Sequence, residues 1–206
     1  MLRDLVYPKV EPTLNQLAKF CSEKKITPDQ LTLAGLALNA VAGWVYSGGA
    51  FFIGGLLTLA ASFGDMLDGP LARLTGKTSR FGAFLDSTVD RYSDFFLFGG
   101  LSFYFAKQES WGWFLACLGI LIGSSLTSYA KARAESLIPS CSVGTIERAE
   151  RIILLLVGSF VLPLLPWALV ILVVGTNFTA IQRILFVQKT LQDTEGKRET
   201  KRTKST

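Results

Sequence analysis

Gln30 to Gly64 is a run of 35 residues without a charge, and it limits the fold more than any other feature. About 20 apolar residues cross a bilayer, so the run holds one and a half to two crossings. Ser47-Gly48-Gly49 sits near its middle and reads as a turn. Ser110–Ala130, 21 residues, and Ile152–Gln182, 31 residues broken by Pro163 and Pro166, are also uncharged. Phe81 to Ala106 is apolar but carries acids in its first half. The pattern predicts an all-α integral membrane protein with six transmembrane helices, over about 29–47, 50–74, 81–106, 110–135, 148–164 and 166–188. A soluble helix keeps an apolar stripe and a polar face. These runs have no polar face, which sets a soluble bundle aside.

Basic residues set the orientation. Arg3, Lys9, Lys19, Lys24 and Lys25 precede the first span, and Arg73, Lys77 and Arg80 lie between the second and third. Lys131, Arg133, Arg148 and Arg151 flank the loop between the fourth and fifth, and Lys189 and five more, from Lys197 to Lys204, follow the sixth. The opposite loops hold one, Lys107. The positive-inside bias then places both termini on the cytoplasmic side of a cell membrane. The net charge of +5 faces anionic head groups rather than nucleic acid, for which no soluble fold remains. Asp4, Glu11 and lysines interrupt residues 1–25, where a signal peptide needs an apolar core. Val6, Val10, Leu14, Leu17 and Phe20 recur there at helical spacing, as in an amphipathic interfacial helix. Three parts result: this segment over 1–25, the six-helix domain over 26–190, and a basic, disordered tail over 191–206.

The chain has no histidine, which removes Ser-His-Asp catalysis and imidazole metal sites. Cys21, Cys117 and Cys141 are odd in number and lack C-x-x-C spacing, so they form neither a zinc site nor a disulfide framework. Acid–base work falls to carboxylates, lysine, tyrosine or cysteine.

Intramembrane ionisable residues cost roughly 2.5–3.5 kcal/mol each on insertion scales and mark functional sites. Here they cluster. Asp65, Asp68 and Arg73 end the second span; Asp86, Asp90, Arg91 and Asp94 occupy the first half of the third. A short loop joins the two, so the groups share a depth. Asp65 and Asp68 lie about 60° apart around their helix, Asp86 and Asp90 about 40°. Four converging carboxylates cannot all ionise unaided, and two arginines do not balance them. A divalent cation would, and all-oxygen ligands select Mg²⁺ or Mn²⁺. Four aspartates suffice for two metals sharing ligands, an arrangement that displaces groups at phosphorus. The competing reading pairs the aspartates with Arg73, Arg80 and Arg91 alone. Gly69, Ala72 and Gly82 beside the acids suit either close backbone approach to a ligand or tight helix packing. A divalent-cation transporter also needs intramembrane acids, but near the midplane and reachable from both sides; these sit toward one face.

In order, Asp65, Asp68, Gly69, Ala72, Arg73, Gly82, Asp86 and Asp90 spell D-x-x-D-G-x-x-A-R-x8-G-x3-D-x3-D, eight fixed positions in 26 residues. This resembles the signature of the CDP-alcohol phosphotransferases. Ile26-Thr27-Pro28-Asp29-Gln30-Leu31-Thr32 is similar to that family's lead into its first span. The resemblance implies transfer of the phosphatidyl-type group of a CDP-linked lipid, such as CDP-diacylglycerol, to an alcohol with release of CMP. It implies two metals on Asp65, Asp68, Asp86 and Asp90, gripping the diphosphate, and Asp90 accepting the proton of the attacking hydroxyl. It also implies a nucleotide site shaped by Asp68, Gly69, Ala72, Arg73 and Gly82, and a homodimer.

The cations bear on the acceptor. Lys131 and Arg133 lie in Lys-Ala-Arg-Ala-Glu, Arg148 and Arg151 in Glu-Arg-Ala-Glu-Arg, and Arg183 in the last span. For the first four, topology alone is a sufficient cause. If they converge, they suit a phosphate-bearing acceptor, whose oxygens match arginine forks. Both stretches resemble those of bacterial phosphatidylinositol-phosphate synthases. That implies inositol phosphate as acceptor, in a basic pocket of Lys131, Arg133, Arg151 and Arg183. The alternative is glycerol 3-phosphate, as in phosphatidylglycerophosphate synthases, which more often have Asp-Pro and Asp-Lys where this chain has Asp86-Ser87 and Asp90-Arg91.

Overall fold

The computed structural model describes the backbone of residues 2–203 and the side chains of residues 11–194. Among the described residues there is no strand. The helices are α1 (Leu2–Glu23), α2 (Pro28–Ser47), α3 (Phe51–Leu74), α4 (Arg80–Lys107), α5 (Trp111–Glu135), α6 (Arg148–Phe160) and α7 (Leu165–Thr203).

Local chemistry sets the ends. Thr27 and Gln30 cap α2 reciprocally: the Gln30 amide donates to Thr27 Oγ1 at 3.3 Å and the Thr27 amide to Gln30 Oε1 at 3.0 Å. Pro28 starts the helix with its φ already set. Gly49, at φ +82°, turns the chain into α3. Ser79 caps α4, its Oγ accepting from the Gly82 amide at 2.9 Å. Glu147 and Glu150 form a capping box on α6. That helix stops at Phe160, a 3₁₀ turn follows over Leu162–Leu164, and α7 begins at Leu165, as Pro163 and Pro166 require.

Two departures from the sequence reading stand out. α6 has 13 residues, about 20 Å at the usual rise, short of a bilayer core of about 30 Å. By length and composition, three helical stretches among the described residues can cross: Phe51–Leu74, Trp111–Glu135 and Leu162–Thr194. α4 is longer, but its first half is charged. Second, α7 continues as one helix of 39 residues through the segment expected to be disordered. Gln, Glu, Lys and Arg are good helix formers, and a helix already nucleated extends cheaply. The Lys197–Lys204 side chains lie outside the described residues. So do those of Arg3, Val6, Lys9 and Val10. Within α1, Leu14 and Ala18 are buried while Leu17 and Phe20 are exposed; the helix packs on α3.

α2 packs between α3 and α4, α5 against α4 and α7, and α6 against α3 and α7. Tyr46, Leu97, Phe98, Ile120, Leu155 and Leu169 fill the centre. Polar ties cross it: Asn39 Nδ2 donates to Ser93 Oγ at 3.1 Å, Tyr46 Oη meets Ser159 Oγ at 2.8 Å, and Thr127 Oγ1 donates to the Thr176 carbonyl at 2.9 Å. α2 and α4 touch backbone to backbone. A Cβ on Gly43 would strike the Phe96 carbonyl, and one on Gly100 the Gly43 carbonyl. Trp44, Phe84, Leu115, Val174 and Ile184 point outward and are exposed, so the exterior is apolar as well. Because neighbours run antiparallel, the starts of α2, α4 and α6 meet the ends of α3 and α5.

Candidate active site

At that meeting point α3 contributes Asp65 and Asp68, and α4 contributes Asp86 and Asp90. Asp86 lies near enough to Asp65, Asp68 and Asp90 for its charge to repel each of them. α2 backs them with small and hydroxylated residues. Thr32 Oγ1 donates to Asp68 Oδ2 at 3.1 Å. A Cβ on Gly35 would lie 2.7 Å from Asp65 Oδ1, so only glycine leaves that carboxylate its room. The sequence reading names neither Thr32 nor Gly35 as part of the site.

Arg148, a cation with no partner assigned from the sequence, is the second addition. In the structure the Arg148 guanidinium bridges two helices' acids, with Nη2 at 2.8 Å from Asp65 Oδ2 and Nη1 paired with Asp90 Oδ1. Arg91 Nη1 stands 3.6 Å from Asp90 Oδ2. No three carboxylates among the described residues close on one point as metal ligands. The donor set still fits a hard divalent cation. It is oxygen only and largely dry, the Asp65 and Asp90 side chains being 16% and 18% exposed. It has also drawn a cation into its middle, and Arg148 and Arg91 offer two positive charges against four acids.

Beside the acids, Gly69 faces Arg73, whose Nη1 would be 3.6 Å from a Cβ there. Arg73 lines a cleft between α1 and α3 with Asn15, Lys19, Pro70 and Leu74. Ala72 is half-buried. Gly82 lies against Ser79 Oγ and Asp29 Oδ1, 3.1 and 3.7 Å from where a Cβ would be.

The four expected acceptor cations divide. Lys131 and Arg183 do meet: Glu147 Oε1 takes Arg183 Nη2 at 2.6 Å and has Lys131 Nζ at 3.7 Å. Arg183 also donates through Nε to the Val143 carbonyl at 2.9 Å and through Nη1 to the Thr127 carbonyl at 2.7 Å, so it fastens the loop before α6 to α5. Arg151 Nη2 pairs with Asp94 Oδ2 at 2.8 Å, both buried. Arg133 Nη1 donates to Ser136 Oγ at 3.1 Å, at the end of its own helix. The sequence reading overlooks Glu147. Its signal was its place as the capping residue at 147, three before Glu150, between two cation-rich stretches.

The profile of the CDP-alcohol phosphatidyltransferase family matches residues 25–196. This chain belongs to that family. Among its relatives is a phosphatidylinositol phosphate synthase of Streptomyces avermitilis, 38% identical over 85% of this chain and 78% of that one. Another is an archaetidylinositol phosphate synthase of Methanothermobacter thermautotrophicus, 35% identical over 92% and 94%. A crystal structure of Mycobacterium tuberculosis phosphatidylinositol phosphate synthase with CDP-DAG bound superposes with a TM-score of 0.79 at 33% identity, covering 84% of this phosphatidyltransferase and 92% of that chain. The same enzyme in complex with manganese and citrate gives 0.78 at 32%, over 85% and 88%.

Proposed function

We propose that this phosphatidyltransferase moves the phosphatidyl-type group of a CDP-linked lipid to the hydroxyl of inositol phosphate and releases CMP. The observation that carries the reading is the convergence of the four signature aspartates, from α3 and α4, at one end of the bundle. The two divalent ions fitting that donor set, Mg²⁺ or Mn²⁺ on Asp65, Asp68, Asp86 and Asp90, would supply positive charge to the diphosphate and the departing CMP oxygen. Gly69, Ala72 and Gly82 leave room for the cytidine nucleotide, and Arg73 contacts its phosphate. Asp90 takes the proton of the attacking hydroxyl. Lys131, Arg133, Arg151 and Arg183 receive the acceptor phosphate, Lys131 and Arg183 sharing Glu147 before it binds. Holding both reactants against one carboxylate supplies much of the rate.

In this reading α2 to α7 make six passages of a cell membrane, α6 and its 3₁₀ turn being the shortest. α1 lies at the interface, the site opens to the cytoplasm, and two copies form a homodimer. The relatives that act on archaetidyl and phosphatidyl lipids are similar in identity to this chain, so the CDP head, not the tail linkage, defines the donor here. The test is CMP release by detergent-purified protein from a CDP-linked lipid and inositol phosphate. Release should need no sealed vesicle, stop on exhaustive chelation and return with Mg²⁺ or Mn²⁺. Release that survives chelation contradicts the role of the aspartates, and dependence on sealed vesicles would point to transport.

A further inference from the structure

The geometry points to Arg148 as an internal counter-ion that occupies the aspartate site before metal loads and must leave for metal to bind. The inference rests on Asp65 and Asp90 being metal ligands. The Arg148 guanidinium lies against Asp65 Oδ2 and Asp90 Oδ1, on the carboxylates that would hold an ion. A guanidinium lying against those carboxylates fills the space an ion would take, so fork and ion exclude each other. Four neighbouring carboxylates without either would repel one another in a partly dry place.

Arg148 differs from the other inward arginines in what holds it. Arg183 is fixed by two backbone carbonyls and a carboxylate, and its side chain is 3% exposed. Arg151 is equally enclosed against Asp94. Arg148 is 23% exposed, and its buried Nε has no hydrogen-bond partner. The ion pairs holding the guanidinium are those to the two acids, and the side chain is partly open to solvent. Once the carboxylates take another cation, only the more distant charge of Asp94 still attracts it. A site closed by its own side chain for most of the time binds ions more weakly by the fraction of time it is open. Arg148 thereby sets the metal concentration at which the enzyme loads.

The experiment measures Mn²⁺ affinity of detergent-purified full-length protein, without substrate, from the EPR signal of free Mn²⁺. Wild type is compared with Arg148→Lys, Arg148→Gln and Asp65→Asn. Lysine keeps the charge but cannot bridge both acids as a fork. Arg148→Lys should therefore bind Mn²⁺ more tightly than wild type, within the roughly 5–150-fold range of coupled equilibria, and Arg148→Gln at least as tightly as the lysine variant. If Arg148→Gln fails to fold, Arg148→Lys decides alone. Lysine-variant affinity equal to or below wild type overturns the inference, even where glutamine tightens binding, because loss of background charge then accounts for the effect. Asp65→Asn separates the two levels: it should lose Mn²⁺ affinity, and if it does not, the assignment of the aspartates fails rather than the role of Arg148.

Discussion

Asp94 and Arg151 join α4 to α6 in the interior, through one contact of 2.8 Å between side chains 7% and 3% exposed. Asp94 Oδ1 and Arg151 Nε have no hydrogen-bond partner. The pair is thus enclosed but only half satisfied. Removing one member leaves the other as an uncompensated buried charge, which costs about 3–5 kcal/mol, whereas replacing both by apolar groups of similar volume is often neutral or stabilising by about 1–4 kcal/mol. Arg151→Met alone should therefore shift the folding equilibrium by two to four decades, and Asp94→Leu alone should do the same. The double variant should return to within about 1 kcal/mol of wild type or exceed it. Titration of mixed micelles with SDS, followed by loss of helical circular dichroism, gives the three differences. A cost below about 1 kcal/mol for Arg151→Met, the level of an exposed pair, would refute the reasoning. Arg151 would then be free to act wholly on the acceptor.

Asp90→Asn should lower CMP release by about 10²–10⁴-fold, the usual worth of a general base, while the CDP-lipid still binds; retention of more than about a tenth of the wild-type rate removes the base assignment. Thr32→Val deletes a bond to the Asp68 carboxylate. Its proton is shared with the Pro28 carbonyl, also at 3.1 Å, so the CDP-lipid Michaelis constant should rise by only about tenfold, the low end for a bond to a charged group, with the acceptor constant unchanged. Gly100→Ala should cost about 1–3 kcal/mol, because the added methyl meets backbone that cannot turn away; the same SDS titration reads it. Arg183→Ala should both raise the acceptor Michaelis constant and lower stability, since Arg183 holds two carbonyls and Glu147; an acceptor effect with unchanged stability would contradict its fastening role.

Most helix ends were legible because the chain marks them chemically. Thr27-Pro28, Gly48-Gly49, Ser79 and Pro163 stand where helices start or stop, and four spans agree with α2 to α5 to within a residue at each end. The carboxylates were legible because their spacing fixes their directions around two helices joined by a short loop. What could not be read was the direction of long side chains across a loop. Charge at Arg148, Arg151 and Arg183 announces a cation; nothing local says which acid or carbonyl it will meet, and Glu147, Asp90 and Asp94 are far off in sequence or on other helices. Thr32 and Gly35 were hidden differently. They belong to the buried face Thr32, Gly35, Asn39, Ala42, Gly43 and Tyr46 of α2, a stripe of small and polar residues at helical spacing inside a run that reads first as membrane. That stripe was the available signal. The continuation of α7 escaped because polar composition excludes a bilayer but not a helix.

Purified protein given one CDP-linked lipid, Mg²⁺, and an equimolar mixture of inositol 1-phosphate and glycerol 3-phosphate forms a lipid whose mass names the acceptor. The structure's meeting of Lys131 and Arg183 at Glu147 Oε1 and the family's inositol-phosphate relatives lead us to expect the inositol-phosphate lipid as the dominant product. A product dominated by the glycerol 3-phosphate adduct would contradict the acceptor assignment while leaving the fold and the aspartate site as described.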